Sequence, residues 1–197
     1  QALPHVYDGQ GICHVVVPQG GHIRPGMFCV GGDSHSPTGG AFGAYMFGIG
    51  STEMLGVVVT GEIWLRVPQT IQMVWRGRLA SGVCAKDMML HMLGRFGMNG
   101  GQYQAIEFAG DTVLGLSMQE RMTLSNMSAE LGSQVGLIAP DATTRAWLRA
   151  TGAEVLVTAC PKCQIHYRCA MKDPKLGDEL RIEMRDVGEI VADALDD

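Results

Sequence analysis

The sequence predicts an α/β protein, layered α/β/α around a largely parallel sheet. Short β-rich runs alternate with helical periodicity along most of the 197 residues, and the chain is 46% hydrophobic against 18% charged, enough apolar content to cover both faces of such a sheet. Glycine is the third signal: 27 residues, about twice ordinary usage and without a Gly-X-Y repeat, point to tight turns and close backbone approaches.

Taken in order, residues 12–17 and 27–31 are β-rich runs separated by a Pro- and Gly-containing turn. Residues 37–59 are small and apolar with interspersed glycines, which predicts two closely packed helices broken near Gly48-Ile49-Gly50. Strands are expected at 57–60, 63–67 and 70–76, the last alternating Ile71, Met73 and Trp75. A methionine-rich helix over 85–96 follows and is expected in the core. Next come a strand at 103–109 and a helix opened by a capping box, Ser117 at N-cap and Glu120 at N3, continuing to Val135. A helix over 142–150, strands at 154–158 and 180–185 and a final helix over 187–195 complete the pattern. The composition shift at Thr151-Gly152 suggests two units, 1–150 and a Cys-rich 151–197.

A net charge of -5 gives no electrostatic footprint for nucleic acid, and an acidic ligand would need local positive charge. Arg24, Lys86, Arg121 and Arg145 are the candidates for carboxylate contacts. No run of apolar residues is long enough to cross a membrane. The chain starts Gln1-Ala2-Leu3-Pro4-His5, without Met or signal-peptide regions, so the expectation is a cytoplasmic, processed or excised polypeptide.

The densest chemistry is Gly31-Gly32-Asp33-Ser34-His35-Ser36-Pro37-Thr38, a carboxylate, an imidazole and three hydroxyls just ahead of an expected helix. Such a loop can offer N–H and O–H donors to an anion while Asp33 and His35 act as an acid/base pair; a simple Asx or Ser turn would look the same in isolation. His14 lies in an apolar run, and Asn126 and Glu130 are spaced to share a helix face. Dinucleotide binding is a poor fit, because Glu53 stands where a Gly-x-Gly-x-x-Gly motif needs its third glycine.

Together these motifs resemble the iron–sulfur hydro-lyases of the aconitase superfamily, nearest to the large subunits of 3-isopropylmalate dehydratase and homoaconitase. The likeness runs from the Asp-Ser-His-Ser-Pro-Thr loop through Val83-Cys84-Ala85-Lys86-Asp87 and Met122-Thr123-Leu124-Ser125-Asn126-Met127-Ser128-Ala129-Glu130 to Ile138-Ala139-Pro140-Asp141, covering roughly residues 5–148. It implies an aconitase-like fold and a [4Fe-4S] cluster acting on a hydroxy di- or tricarboxylate such as isopropylmalate or homocitrate. Catalytic roles fall on His14, Asp33, Ser34, His35 and Glu130, and substrate binding on Ser34, Ser36, Thr38 and Asn126. It also implies a small swivelling-domain subunit as partner. Full members of the family are longer, and their cluster-cysteine segments are not recognisable here.

Instead Cys160, Cys163 and Cys169 crowd one segment, which resembles the Cys-rich modules of heterodisulfide-reductase-like iron–sulfur proteins. Three soft thiolates on one turn suit an iron–sulfur cluster or zinc, with His166 a possible fourth ligand; a metal-free turn is the plain alternative. Cys13, Cys29 and Cys84 are expected to be buried thiols. Two other readings stay open: an iron–sulfur electron-transfer or assembly subunit, and a silent fragment that needs a partner chain.

Overall fold

The computed structural model describes residues 6–151, 155–158 and 183–186. Helices and parallel strands alternate as the α/β class requires, and every strand pair among these residues is parallel. The strands do not form one sheet, however. β1 (Phe28–Gly31) pairs with β2 (Tyr45–Gly48), β3 (Thr70–Val74), β4 (Ala105–Ala109) and β5 (Val135–Ile138) lie side by side in that order, and β6 (Val155–Thr158) pairs with β7 (Glu183–Asp186).

Five local expectations are corrected. Residues 12–17 are not a strand: α1 is a helix over Cys13–Gln19 despite three consecutive valines and Pro18. β-branched residues cost a helix only about 0.7 kcal/mol each or less, which the packing of Val17 against the core around Ile23 and Phe42 can override. Residues 37–59 form a 3-10 helix, Ser36–Phe42, then β2, then α2 (Ser51–Thr60). The expected strand at 57–60 is therefore the end of α2, and no regular strand forms at 63–67. Finally, after the single turn of α4 (Asp111–Leu114), α5 (Met118–Asn126) stops short of the expected Val135, which is instead the first residue of β5. Gly132, in the turn between α5 and β5, redirects the chain at φ 75.

Other expectations match. Ser117 accepts the Glu120 N–H at 3.3 Å, and the Glu120 carboxylate takes the Ser117 N–H at 3.0 Å, closing the capping box. α3 (Ala85–Phe96) buries Met88, Met89 and Met92 with Ile106, Phe108 and Leu124 in the larger core, between α3, α5 and the three-stranded sheet. Each such side chain contributes about 1.5–3 kcal/mol on burial. A smaller core joins Ile23, Phe42 and Met46 to Met118 of α5 and Leu148 of α6 (Ala142–Ala150). α2, by contrast, has no buried residue, and Val58 and Val59 are 76% and 74% exposed. Among the described residues no helix is long and apolar enough to cross a membrane.

The 3-10 helix carries the loop of interest and lies flush on β5, where a Cβ on Gly40 would overlap the Gly136 carbonyl. Gly40→Ala is therefore expected to cost about 1–3 kcal/mol, since backbone must move to admit the methyl group. A urea midpoint within error of the parent protein would contradict this close contact. Of the strands expected at 154–158 and 180–185, residues 155–158 and 183–185 are strand, while the rest of those spans, the helix at 187–195 and the cysteine segment lie outside the described residues.

Candidate active site

Three separated segments converge. The Asp33 to His35 loop leaves the C-terminal end of β1, the position where open parallel α/β sheets gather ligands. Its turn is internally bonded: Asp33 Oδ1 accepts the His35 N–H at 2.8 Å, Ser36 Oγ donates to the Asp33 carbonyl at 2.7 Å and Thr38 Oγ1 donates to the His35 carbonyl at 2.7 Å. Gly48 of β2 packs so closely that a Cβ there would overlap that same Asp33 carbonyl. The loop is thus held from below by hydrogen bonds and backbone contact.

α1 brings His14 to this loop, with Nδ1 3.3 Å from Asp33 Oδ1; the helix that replaces the expected strand is what places it there. From the other side, the turn after α5 brings Glu130, whose Oε1 lies 2.8 Å from His35 Nε2. Asp33 and His35, the expected acid/base pair, lie within ion-pairing range at 3.8 Å between Oδ1 and Nδ1, and Asp33 Oδ1 is nearer still to His14. Asp33 therefore serves His14, and Glu130 serves His35. The two imidazoles stand 6.0 Å apart between ring centroids. Ser34 Oγ, exposed, lies 3.2 Å from His35 Nδ1.

Asn126 ends α5 and donates to Thr38 Oγ1 at 2.9 Å, tying the helix to the loop. Ser36 is fully buried with its hydroxyl directed to the backbone, whereas Thr38 reaches the wall of a cleft of about 430 Å³ that also includes His14, Lys86, Thr123, Asn126 and Glu130. A larger surface cleft of about 570 Å³ around Arg78, Asp111 and Glu120 holds no imidazole, so chemistry rather than size selects the first.

The cysteines divide differently. Cys13, first residue of α1, and Cys84, at the N-cap of α3, are exposed rather than buried, because each sits at a helix start facing outward. Cys29 is partly buried in β1, and burial pushes its thiol up, away from the thiolate form a metal would need. Among the described residues no group of three or more His, Cys, Asp or Glu side chains is arranged to hold a metal ion. They supply no thiolate set for an iron–sulfur cluster; Cys160, Cys163 and Cys169 lie outside them.

A parallel α/β chain with two neighbouring imidazole–carboxylate contacts, of which His14 and Glu130 line one cleft, defines a class by its fold and polar cluster. Comparison makes the class specific, because residues 2–194 match the aconitase family (aconitate hydratase), and the chain belongs to that family. The match passes beyond residue 148 and through the cysteine segment. Among its relatives are a probable 3-isopropylmalate dehydratase large subunit of Methanothermobacter thermautotrophicus, 47% identical over 76% of this chain and 36% of the relative, and a probable methanogen homoaconitase large subunit of Methanosarcina mazei, 43% identical over 76% and 38%. The 3-isopropylmalate dehydratase large subunit of Listeria welshimeri is 42% identical over 90% of the chain and 38% of the relative. The chain thus spans little more than a third of the length of these relatives.

Proposed function

We propose that this chain carries the proton-transfer part of an aconitase-family hydro-lyase site, which removes and re-adds water on a hydroxy di- or tricarboxylate such as isopropylmalate or homocitrate. The observation that supports this most is the pairing of His14 with Asp33 and of His35 with Glu130, one member of each pair, His14 and Glu130, lining the same cleft. Losing water from a hydroxy acid needs a proton taken from the carbon beside a carboxylate and a proton given to the departing hydroxyl. His14, oriented by Asp33, is suited to give the latter, since a carboxylate holds the ring and balances its charge when protonated. His35, oriented by Glu130 and next to Ser34, is suited to hold the substrate-side proton. Ser34, Thr38 and Asn126 offer polar groups to the substrate carboxylates, and Ser36 fixes the loop that carries them.

Enzymes of this family generally use a [4Fe-4S] cluster, which supplies Lewis acidity toward the leaving hydroxyl. In our proposal Cys160, Cys163 and Cys169 would hold it through their three soft thiolates. The relatives are named large subunits, and we extend this to a small swivelling-domain subunit as partner, to a cytoplasmic location and to a division into units 1–150 and 151–197.

Anaerobic reconstitution with iron and sulfide, followed by hydration of unsaturated diacids monitored through their ultraviolet absorbance, tests the proposal. Turnover that His14→Ala abolishes without unfolding the chain is the expected result. A cluster without turnover, with a small subunit supplied, would overturn the hydro-lyase reading in favour of electron transfer; no cluster and free alkylation of all three cysteines would overturn the cofactor assignment.

A further inference from the structure

A substrate with two or three carboxylates meets a problem at this cleft. The chain carries net charge -5, and Asp33 and Glu130 place two carboxylates at the imidazoles, so an anion needs a local cation. Four basic residues were candidates, and the structure separates them. Arg121 is fully buried and committed to Asp141. Arg24 is half-buried and donates through Nε to the Gly21 carbonyl at 2.9 Å. Arg145 lies on α6, away from the cleft wall. Lys86 is exposed and lines the cleft with His14, Thr38, Asn126 and Glu130, the one permanent cation among those lining residues.

Its place in α3 supports a role toward a ligand. Lys86 is the second residue of the helix, where a cation opposes the helix dipole by about 0.3–1 kcal/mol. Asp87 already serves the first turn: its carboxylate takes the Cys84 N–H at 2.8 Å and the Cys84 thiol at 3.2 Å, bonds that hold it below the usual carboxylate range. No carboxylate among the described residues forms an ion pair with Lys86. A positive charge at that position works against the helix and toward an anion in the cleft that Lys86 lines.

We propose that Lys86 anchors one carboxylate of the substrate, a positioning role that rests on the hydro-lyase reading of the same cleft. The test is binding of tricarballylate, an unreactive tricarboxylate, to the full chain by calorimetry at low and high salt, with the His14 and His35 ring resonances as a second readout. Lys86→Gln should weaken binding about tenfold, the step that corresponds to about 1.4 kcal/mol, and flatten the salt dependence. Lys86→Arg should restore most of the affinity, and thermal midpoints should stay within a few degrees because the side chain is exposed. Unchanged affinity in Lys86→Gln, or no rescue by Lys86→Arg, would overturn the role of Lys86; if Ser34→Ala still weakens binding, the cleft assignment survives. No binding and no shift of either histidine in the parent protein would overturn both.

Discussion

Arg121→Ala should lower the unfolding free energy by about 3–5 kcal/mol, the cost of breaking a buried charged pair from one side. The guanidinium is fully buried and its donors are matched: Nη1 and Nη2 to the two oxygens of Asp141 at 2.7 and 2.8 Å, Nε to the Leu116 carbonyl at 3.1 Å and Nη2 to the Leu114 carbonyl at 3.0 Å. Removal strips two carbonyls and the Asp141 carboxylate of partners at once, loosening α6 from the start of α5. Arg121→Lys should recover only part of the loss, since an ammonium cannot reproduce the two-pronged contact. The same pair sets an acid dependence. The Arg121 hydrogen bond holds the Asp141 carboxyl down at about 2 against an ordinary 3.8. A lowered folded-state pKa gives stability that is complete above the unfolded value and lost as pH falls from about 4 through about 2. Urea titrations over that range should show a shallower pH slope in Asp141→Asn. A loss below about 1 kcal/mol in Arg121→Ala would mean the pair is dispensable.

Arg121 also shows where sequence stops being informative. In the chain it is one basic residue in an expected helix, as plausible a substrate contact as Lys86; only the packing of α5 against α6 reveals which of them is buried. What was legible followed from local rules: the Ser117 capping box, the methionine face of α3 and the alternation in β3 depend on neighbours within a few residues. What was not legible depended on partners far along the chain. The valines after His14 favour a strand on propensity alone, and the core around Phe42 turns them into a helix. The spacing of Asn126 and Glu130 suggested one helix face, yet α5 ends at Asn126 and Glu130 reaches His35 from the following turn. The five catalytic candidates were identifiable as residue types in motifs, but which imidazole faces which carboxylate is a fact of three dimensions.

That pairing carries the other large effect. Glu130→Gln should reduce hydration activity about 10²–10⁴-fold, the range for disabling a proton-transfer pair, while leaving stability unchanged or slightly higher. The asymmetry comes from Glu130 Oε2, which is buried without a hydrogen-bond partner while Oε1 meets His35. A half-matched carboxylate is costly in the folded protein, and a neutral amide lowers that desolvation cost. His35→Gln should lose a similar factor, and the double variant little more than either single one, because the two side chains act as a unit. A residue kept only to brace the turn after α5 would give the reverse pattern: Glu130→Gln would lower the urea midpoint and keep its turnover. Parallel measurement of both quantities on the four variants of this cycle therefore separates a proton-handling pair from a structural one, and additive losses of activity would exclude the coupling inferred from the 2.8 Å contact.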